Sequence, residues 1–270
     1  MPASDPVGQP TALTKHLVEA VREAGALALT MFDTPLRRWT KADGSPVSEG
    51  DFAVDRLLHR HLADEPPDTA WLSEETPDDP ARLSARRAWV IDPIDGTRAY
   101  IGGRPDWSIA VALVEDGRPI LSTVFAPVEQ ALFVAAAGRG ATLNGLPISA
   151  TSSGELGGAR CAGPKRQLDR LVRLVPGLIA APRVYSLALR LARIAEGALD
   201  VAFASGQSHD WDLAAGDLLV HEAGGALTTL DGRVLAYNGT VPVHGALIAA
   251  GRARHARLVE LLKDRQGEFG

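Results

Sequence analysis

The chain has 270 residues, 46% of them hydrophobic, enough for a sizeable core in one large unit or two small ones. A formal net charge of -5 gives no basic footprint for a nucleic-acid polymer, although phosphate esters stay open to the chain if metal ions supply positive charge. The single cysteine, Cys161, excludes an intrachain disulfide and a thiolate zinc site, and is expected to be an incidental thiol in a reducing cytoplasm.

Residues 1–14 are polar and carry Pro2, Pro6 and Pro10, without the charged start and apolar run of a secretory signal. No apolar stretch approaches the ~20 residues of a membrane span, so no membrane partner is expected. Residues 11–32 read as an amphipathic helix with Leu13, Leu17, Ala20, Val21, Ala24, Leu27 and Ala28 at helical spacing, stopped by Pro35. Lys41 to Pro46 has turn chemistry, and a second helix is expected over 50–63, closed by Pro66-Pro67. Trp71-Leu72 leads into Ser73-Glu74-Glu75. The polar residues 76–87 read as an exposed excursion before a strand at Trp89–Ile91. Further strands are expected over 107–114, 119–126 and 131–136, with a hairpin turn at 115–118. This half reads as helices on a largely antiparallel sheet.

The Ser-, Thr- and Gly-rich run 149–160 marks a soft boundary between an N-terminal α+β part, 1–150, and a C-terminal α/β part, 151–270, which together form one unit. Beyond it, helices are expected over 165–175, 186–197, 212–223 and 253–264, and strands at 199–204 and near 226–230 and 246–250. Gly224-Gly225 is the stop signal for the helix that begins at Asp212. There is no internal repeat and no low-complexity tract.

The strongest chemical signal is the run from Trp89 to Thr97, Trp-Val-Ile-Asp-Pro-Ile-Asp-Gly-Thr. An apolar strand ends there in two carboxylates, a glycine and a hydroxyl, at the end where open α/β sheets place their ligands. Asp92 and Asp95 can converge if the segment curls, with the Ile94 carbonyl as a third oxygen between them. Gly96 and Thr97 offer N–H groups to an anion if a helix starts there. Glu74 and Asp212 could complete the acidic set. Hard oxygen ligands suit Mg²⁺ or Mn²⁺ better than zinc. Such ions orient a phosphate, acidify a bound water and neutralise a leaving alkoxide. The plainer alternative is a strand-ending turn, since Asp-Gly is common in turns. A covalent aspartyl-phosphate route needs an Asp two residues before a second one, and Pro93 stands there instead, so direct attack by water fits better. The seven histidines show no metal spacing, and there is no dinucleotide fingerprint, Walker loop or Gly-x-Ser-x-Gly elbow. Trp107 and Trp211 are expected in the core, although either, or Tyr100, could stack on a purine.

These motifs resemble the inositol monophosphatase superfamily. Asp-Pro-Ile-Asp-Gly-Thr stands at 92–97, Glu-Glu at 74–75, Trp-Asp-Leu-Ala-Ala-Gly at 211–216 and Glu-Ala-Gly-Gly at 222–225. The resemblance implies a layered α/β/α/β/α sandwich of the inositol monophosphatase/fructose-1,6-bisphosphatase type and a cytoplasmic, Mg²⁺-dependent, lithium-sensitive phosphomonoesterase that forms a homodimer. It places a first metal on Glu74, Asp92 and the Ile94 carbonyl, a second on Asp92, Asp95 and Asp212, and a weaker third near Glu74. Thr97 paired with Asp51, with Glu74 beside them, would activate the water. The Gly96 and Thr97 amides would hold the phosphate, with Asp212, Lys41 and Arg190 as further substrate contacts.

Within the superfamily, Lys41 to Val47, Ser73 before Glu74, Arg98 after Thr97, and the runs 109–120 and 126–128 look most like the 3'(2'),5'-bisphosphate nucleotidase branch. Ser205 stands where inositol-specific members carry an acidic substrate contact. The expected reaction is therefore conversion of adenosine 3',5'-bisphosphate to AMP and phosphate. Inositol-1-phosphate, histidinol phosphate and sugar phosphates are the alternatives. A non-catalytic binding protein is disfavoured because every expected acidic ligand, Thr97 and Asp51 are present. Lys165 and Arg166 are equally readable as substrate contacts or solvated surface charges.

Overall fold

The computed structural model describes residues 11–32, 34–42 and 44–269, so residues 1–10 of the polar start and Asp43 of the Lys41–Pro46 turn lie outside the described residues. Thr11 caps α1 (Ala12–Met31) by accepting the Thr14 N–H at 3.1 Å, and the predicted stripe of Leu17, Ala20, Val21, Ala24 and Ala28 is fully buried. α2 (Glu49–Leu62) opens on a capping box between Ser48 and Asp51 and buries Val54, Leu57, Leu58 and Leu62. Between the two helices, β1 (Arg38–Thr40) and β2 (Pro46–Ser48) form an antiparallel ribbon with Lys41 in its turn.

Seven strands form the larger sheet in chain order: β3 (Thr69–Ser73), β4 (Arg87–Asp95), β5 (Ser108–Glu115), β6 (Arg118–Ala126), β7 (Ala131–Ala136), β8 (Ala141–Leu143) and β9 (Leu146–Ile148). β3 and β4 pair parallel and the rest pair antiparallel, as the first half of the sequence predicts. The short helix α3 (Thr97–Ile101) follows β4. The second sheet contains β10 (Arg160–Ala162), β11 (Ile179–Ala180), β12 (Val201–Ala204), β14 (Gly225–Thr229) and β16 (Leu247–Gly251), in the order β11-β10-β12-β16-β14. β13 (Ser208–His209) and β15 (Val243–His244) pair separately. The remaining helices are α4 (Lys165–Leu174), α5 (Leu187–Ala195), α6 (Asp210–Glu222), α7 (Arg252–Leu262) and α8 (Gln266–Phe269).

Strand alternation explains the layers. On β5, Ile109, Val111 and Leu113 face α1 and α2, while Ala110, Ala112 and Val114 face α5 and α6. Both faces are covered, so residues 109–114 are apolar throughout instead of alternating with polar residues. The small alanines, with Ala188 and Ala192 on α5, let the middle helix pair sit close between the sheets. Gly216 on α6 packs so tightly on α5 that a Cβ there would lie 2.7 Å from Leu191. Beyond the second sheet, Cys161, Val201, Phe203 and Ile248 pack on Leu168 and Leu171 of α4 and Leu258 and Leu262 of α7. The result is the expected α/β/α/β/α sandwich. Cys161 is fully buried there, its thiol pushed up to about 12 by burial, the inert role expected of it.

Three boundaries differ from the sequence expectation for physical reasons. β4 does not stop at Ile91 but runs to Asp95, because a bulge absorbs the Asp-Pro-Ile-Asp run. α6 begins at Asp210, two residues before Asp212, with His209 as a cap that sequence preferences do not flag. Residues 76–87 are not wholly exposed. They contain a short 3₁₀ turn (Pro80–Ser84), and the Arg82 side chain is buried. Its guanidinium donates to both oxygens of Asp78 at 2.6 and 3.0 Å, to Asn238 Oδ1 at 2.8 Å and to the Gly239 carbonyl at 3.0 Å.

Asp217, in the middle of α6, accepts the Tyr237 hydroxyl at 2.8 Å, and burial pushes its carboxyl up from 3.8 to about 6. A folded-state value above the unfolded one means that stability is lost as pH rises through that interval. Asp217→Asn keeps an acceptor for Tyr237 and removes the titration. The variant's thermal midpoint, relative to the parent, should therefore climb between pH 4 and pH 7. A gap that stays flat or narrows would contradict this.

Candidate metal and phosphate site

In a regular strand, residues three apart face opposite sides of a sheet. Across the β4–β5 pair, Asp92 lies opposite Ala110 and Asp95 opposite Ser108, so β4 carries one extra residue at this point. The bulge flips the parity and brings both carboxylates to the α5–α6 side of the sheet, while Pro93, lacking an N–H, sits where ladder pairing is already broken. The first turn of α6 delivers Asp212 to the same place. One oxygen from each of Asp92, Asp95 and Asp212 lies within 4.8 Å of the others, a set that could hold a metal ion.

Each carboxylate is fixed by protein donors on one oxygen. Asp92 Oδ1 accepts the Ile94 N–H at 3.0 Å, and Asp212 Oδ2 accepts the His209 N–H at 2.6 Å. Asp95 Oδ2 accepts the Ser186 hydroxyl and the Ala188 N–H, both at 2.6 Å. The second oxygens of Asp92 and Asp212 accept no hydrogen bond among the described residues, and the Leu187 N–H adds to the hold on Asp95. Burial and mutual repulsion, with Glu74 adding to it, hold Asp92 and Asp212 well above the usual carboxylate range. Asp95 is pushed up to about 6 by burial against the pull of its hydrogen bonds. Buried carboxylates with open oxygens are costly unless cations share them, so the donor set fits hard divalent ions.

Thr97 and Asp51 lie side by side. Thr97 Oγ1 lies 3.1 Å from Asp51 Oδ1 and 3.1 Å from the Ile94 carbonyl. Asp51 is fully buried, its Oδ2 accepting from the Ser48 N–H at 2.9 Å and the Ser48 hydroxyl at 2.6 Å; burial nevertheless raises its pKa. Gly96 adopts φ +90°, and a Cβ there would sit 3.1 Å from the Ser186 nitrogen, so only glycine fits. The Thr97 and Arg98 amides, in the first turn of α3, donate to no protein acceptor among the described residues.

Two predicted substrate contacts, Lys41 and Arg190, have protein partners. Lys41 Nζ bridges Glu74 Oε1 and Glu75 Oε1, each at 2.8 Å, so its charge is shared with that carboxylate pair. Glu74 is not part of the 4.8 Å cluster, although its charge reaches Asp92, Asp212 and Asp51. Glu75 is pushed up to about 7 by burial despite Lys41. Arg190 is not a surface charge. It is 8% exposed and donates to the backbone carbonyls of Phe203 at 2.9 Å and Val184 at 2.8 Å, beneath Asp95. Its place on α5 turns it inward, and negative charge on Asp95 opposes the downward pull of burial on its pKa.

Other residues have structural roles. Tyr100 is buried and donates its hydroxyl to the Ala28 carbonyl at 2.8 Å, and Trp107 is wholly buried, so neither can stack on a base. Trp211 packs on the central core and stacks on His209 with ring centroids 4.5 Å apart. Lys165 is a solvated surface charge paired with Asp169.

Sequence reasoning missed the supports. Ser48 followed by Asp51 is a legible capping box, and Ser186 before an apolar helix is a legible N-cap. Asp55, which accepts from Ser73 Oγ at 2.5 Å and Thr76 Oγ1 at 2.9 Å and so shapes the Glu74-Glu75 turn, carries no such signal. Neither does Asp210, which accepts the Asn238 N–H at 2.6 Å and lies 2.7 Å from His244 Nε2. Through Asn238 and Arg82, that network ties the segment after Glu75 to the helix that bears Asp212.

A sequence model of the inositol monophosphatase family matches residues 9–266. The chain is 36% identical over 225 residues to a histidinol-phosphatase of Mycobacterium tuberculosis, covering 79% of this chain and 85% of that one. It is 28% identical over 246 residues to the 3'(2'),5'-bisphosphate nucleotidase CysQ of Aggregatibacter actinomycetemcomitans, covering 84% and 88%. Among solved structures, the Thermotoga maritima IMPase superposes with a TM-score of 0.82 at 25% identity, covering 94% of this chain and 97% of that one. The chain belongs to the inositol monophosphatase family.

Proposed function

We propose that this member of the family is a Mg²⁺-dependent phosphomonoesterase that removes the 3'-phosphate of adenosine 3',5'-bisphosphate by direct attack of water. The observation that carries the reaction is the convergence of Asp92, Asp95 and Asp212 beside the Thr97–Asp51 pair. These carboxylates, with Glu74 and the Ile94 carbonyl, would hold divalent cations, which would supply positive charge for the phosphate and acidify the attacking water. The chain's own groups do the rest. The Thr97 hydroxyl donates to Asp51, which leaves its lone pairs to take a hydrogen bond from that water. Asp51, buried and held by Ser48, is fixed as the acceptor for the displaced proton. The free amides of Thr97 and Arg98 face the phosphate oxygens, a placement only Gly96 permits. Asp95, anchored to Ser186 and Ala188, keeps its other oxygen aimed at the site. A homodimer in the cytoplasm completes the proposal, resting on the family pattern.

The nucleotidase reading draws on the Lys41–Val47 and Ser73-Glu74 segments. The identity to a histidinol-phosphatase favours histidinol phosphate as a second reading. The test is kcat/KM with Mg²⁺ on adenosine 3',5'-bisphosphate, histidinol phosphate, inositol-1-phosphate and fructose-1,6-bisphosphate. A preference of about a hundredfold for the adenosine compound, about 2.7 kcal/mol of discrimination, is the expected result. A preference for histidinol phosphate would keep the metal site and overturn the substrate.

A further inference from the structure

Tyr185 directly precedes Ser186, whose hydroxyl anchors Asp95. Its half-exposed ring carries two guanidinium groups, with Cζ of Arg183 4.2 Å and Cζ of Arg104 5.0 Å from the ring centroid. Asp106 ties this cluster to the phosphate turn. Its Oδ1 accepts from Arg104 Nε at 3.2 Å, its Oδ2 from the Tyr185 N–H at 2.9 Å and its carbonyl from the Ser186 N–H at 3.1 Å. The same carbonyl lies 3.3 Å from the point a Cβ on Gly96 would occupy. The Asp106 side of the cluster is therefore built directly against Gly96, the residue before Thr97.

Arg104 and Arg183 are both exposed. Arg104 spends only Nε on the protein, and Arg183 makes no hydrogen bond or ion pair among the described residues. Arg98, next to Thr97, is exposed as well. Among the described residues Arg104 is the only cation paired with Asp106, whose two oxygens are both used, so the Arg183 guanidinium and the remaining Arg104 donors stay available in a chain whose net charge is -5. Lone exposed arginines are usually mobile and solvated. Stacking on a ring fixes the guanidinium plane and leaves its edge donors free, the form in which arginine takes a phosphate bidentately.

We infer that Arg104 and Arg183, held on Tyr185, form a second anion subsite that takes a non-reacting phosphate of the substrate. This rests on the phosphomonoesterase reading above and deepens it: the enzyme selects bisphosphorylated substrates, and the subsite repels a cationic alcohol such as histidinol. A contact made equally in ground and transition states lowers KM more than it raises kcat.

The test uses the Mg²⁺-loaded enzyme and two substrate pairs, adenosine 3',5'-bisphosphate against adenosine 3'-monophosphate and fructose 1,6-bisphosphate against fructose 1-phosphate. The parent should favour the bisphosphorylated member of at least one pair by about tenfold in kcat/KM. The double variant Arg104→Gln/Arg183→Gln should lose that preference, mainly through KM. Equal handling of both members of both pairs by the parent overturns the subsite, as does a preference that survives in the variant. Calorimetric affinity for adenosine 3',5'-bisphosphate separates the subsite from the reaction. Binding about tenfold weaker in the variant supports it even if nothing is hydrolysed, and equal affinity overturns it. Failure to release phosphate from any ester would overturn the phosphatase reading instead.

Discussion

Asp95→Asn is expected to lower kcat by about a thousandfold or more and to leave the protein folded. The two effects separate because the two oxygens of Asp95 have different duties. Oδ2 accepts from Ser186 and Ala188 and so anchors the start of α5 to the bulged end of β4. An Asn carbonyl can accept both bonds. The amide NH₂ then takes the place of the other oxygen and presents hydrogens where a cation needs a lone pair. Metal affinity measured by calorimetry should fall with turnover, while circular dichroism and the thermal midpoint stay near those of the parent. A folded variant with near-normal turnover would contradict the site. Asp212→Asn provides a second route, since its Oδ2 holds only the His209 N–H.

Thr97→Ala should cost about 10²–10⁴-fold in kcat with little change in KM. The hydroxyl lies between Asp51 and the Ile94 carbonyl, and its proposed task is to orient water toward the phosphorus, not to bind the ester. Thr97→Ser keeps the oxygen and should restore most of the rate. Loss confined to KM, or no rescue by serine, would show that Thr97 has another role. Removing the hydroxyl also leaves Asp51 buried with one partner fewer, so Asp51→Asn should not add its own full loss on top.

The layers and the acidic motifs were legible because they depend on local signals. The stripe on α1, the buried run of β5 and the spaced acidic motifs each carry a period or a turn that survives outside the fold. The bulge was not legible. Pro93 hints at broken pairing, yet only the partner strand shows that one extra residue puts Asp92 and Asp95 on the same face. The partners of Lys41 and Arg190 were not legible, because a basic side chain is readable by charge but not by destination. Lys41 meets Glu74 and Glu75 across 33 and 34 residues of chain, and Arg190 meets carbonyls that only the folded second sheet and its neighbouring loop bring near. Arg82 failed for the same reason: its partner Asn238 lies 156 residues away. Short strands such as β1, β2, β13 and β15 are set by tertiary contacts and have no pattern of their own.

The most direct test of the account is phosphate release from adenosine 3',5'-bisphosphate by enzyme dialysed against chelator, before and after graded addition of Mg²⁺. Negligible release that rises with Mg²⁺ in the parent, and stays near zero in Asp95→Asn, is the result the geometry predicts. Release that is undiminished by the chelator and indifferent to Mg²⁺ would contradict a carboxylate-held metal as the source of the activity.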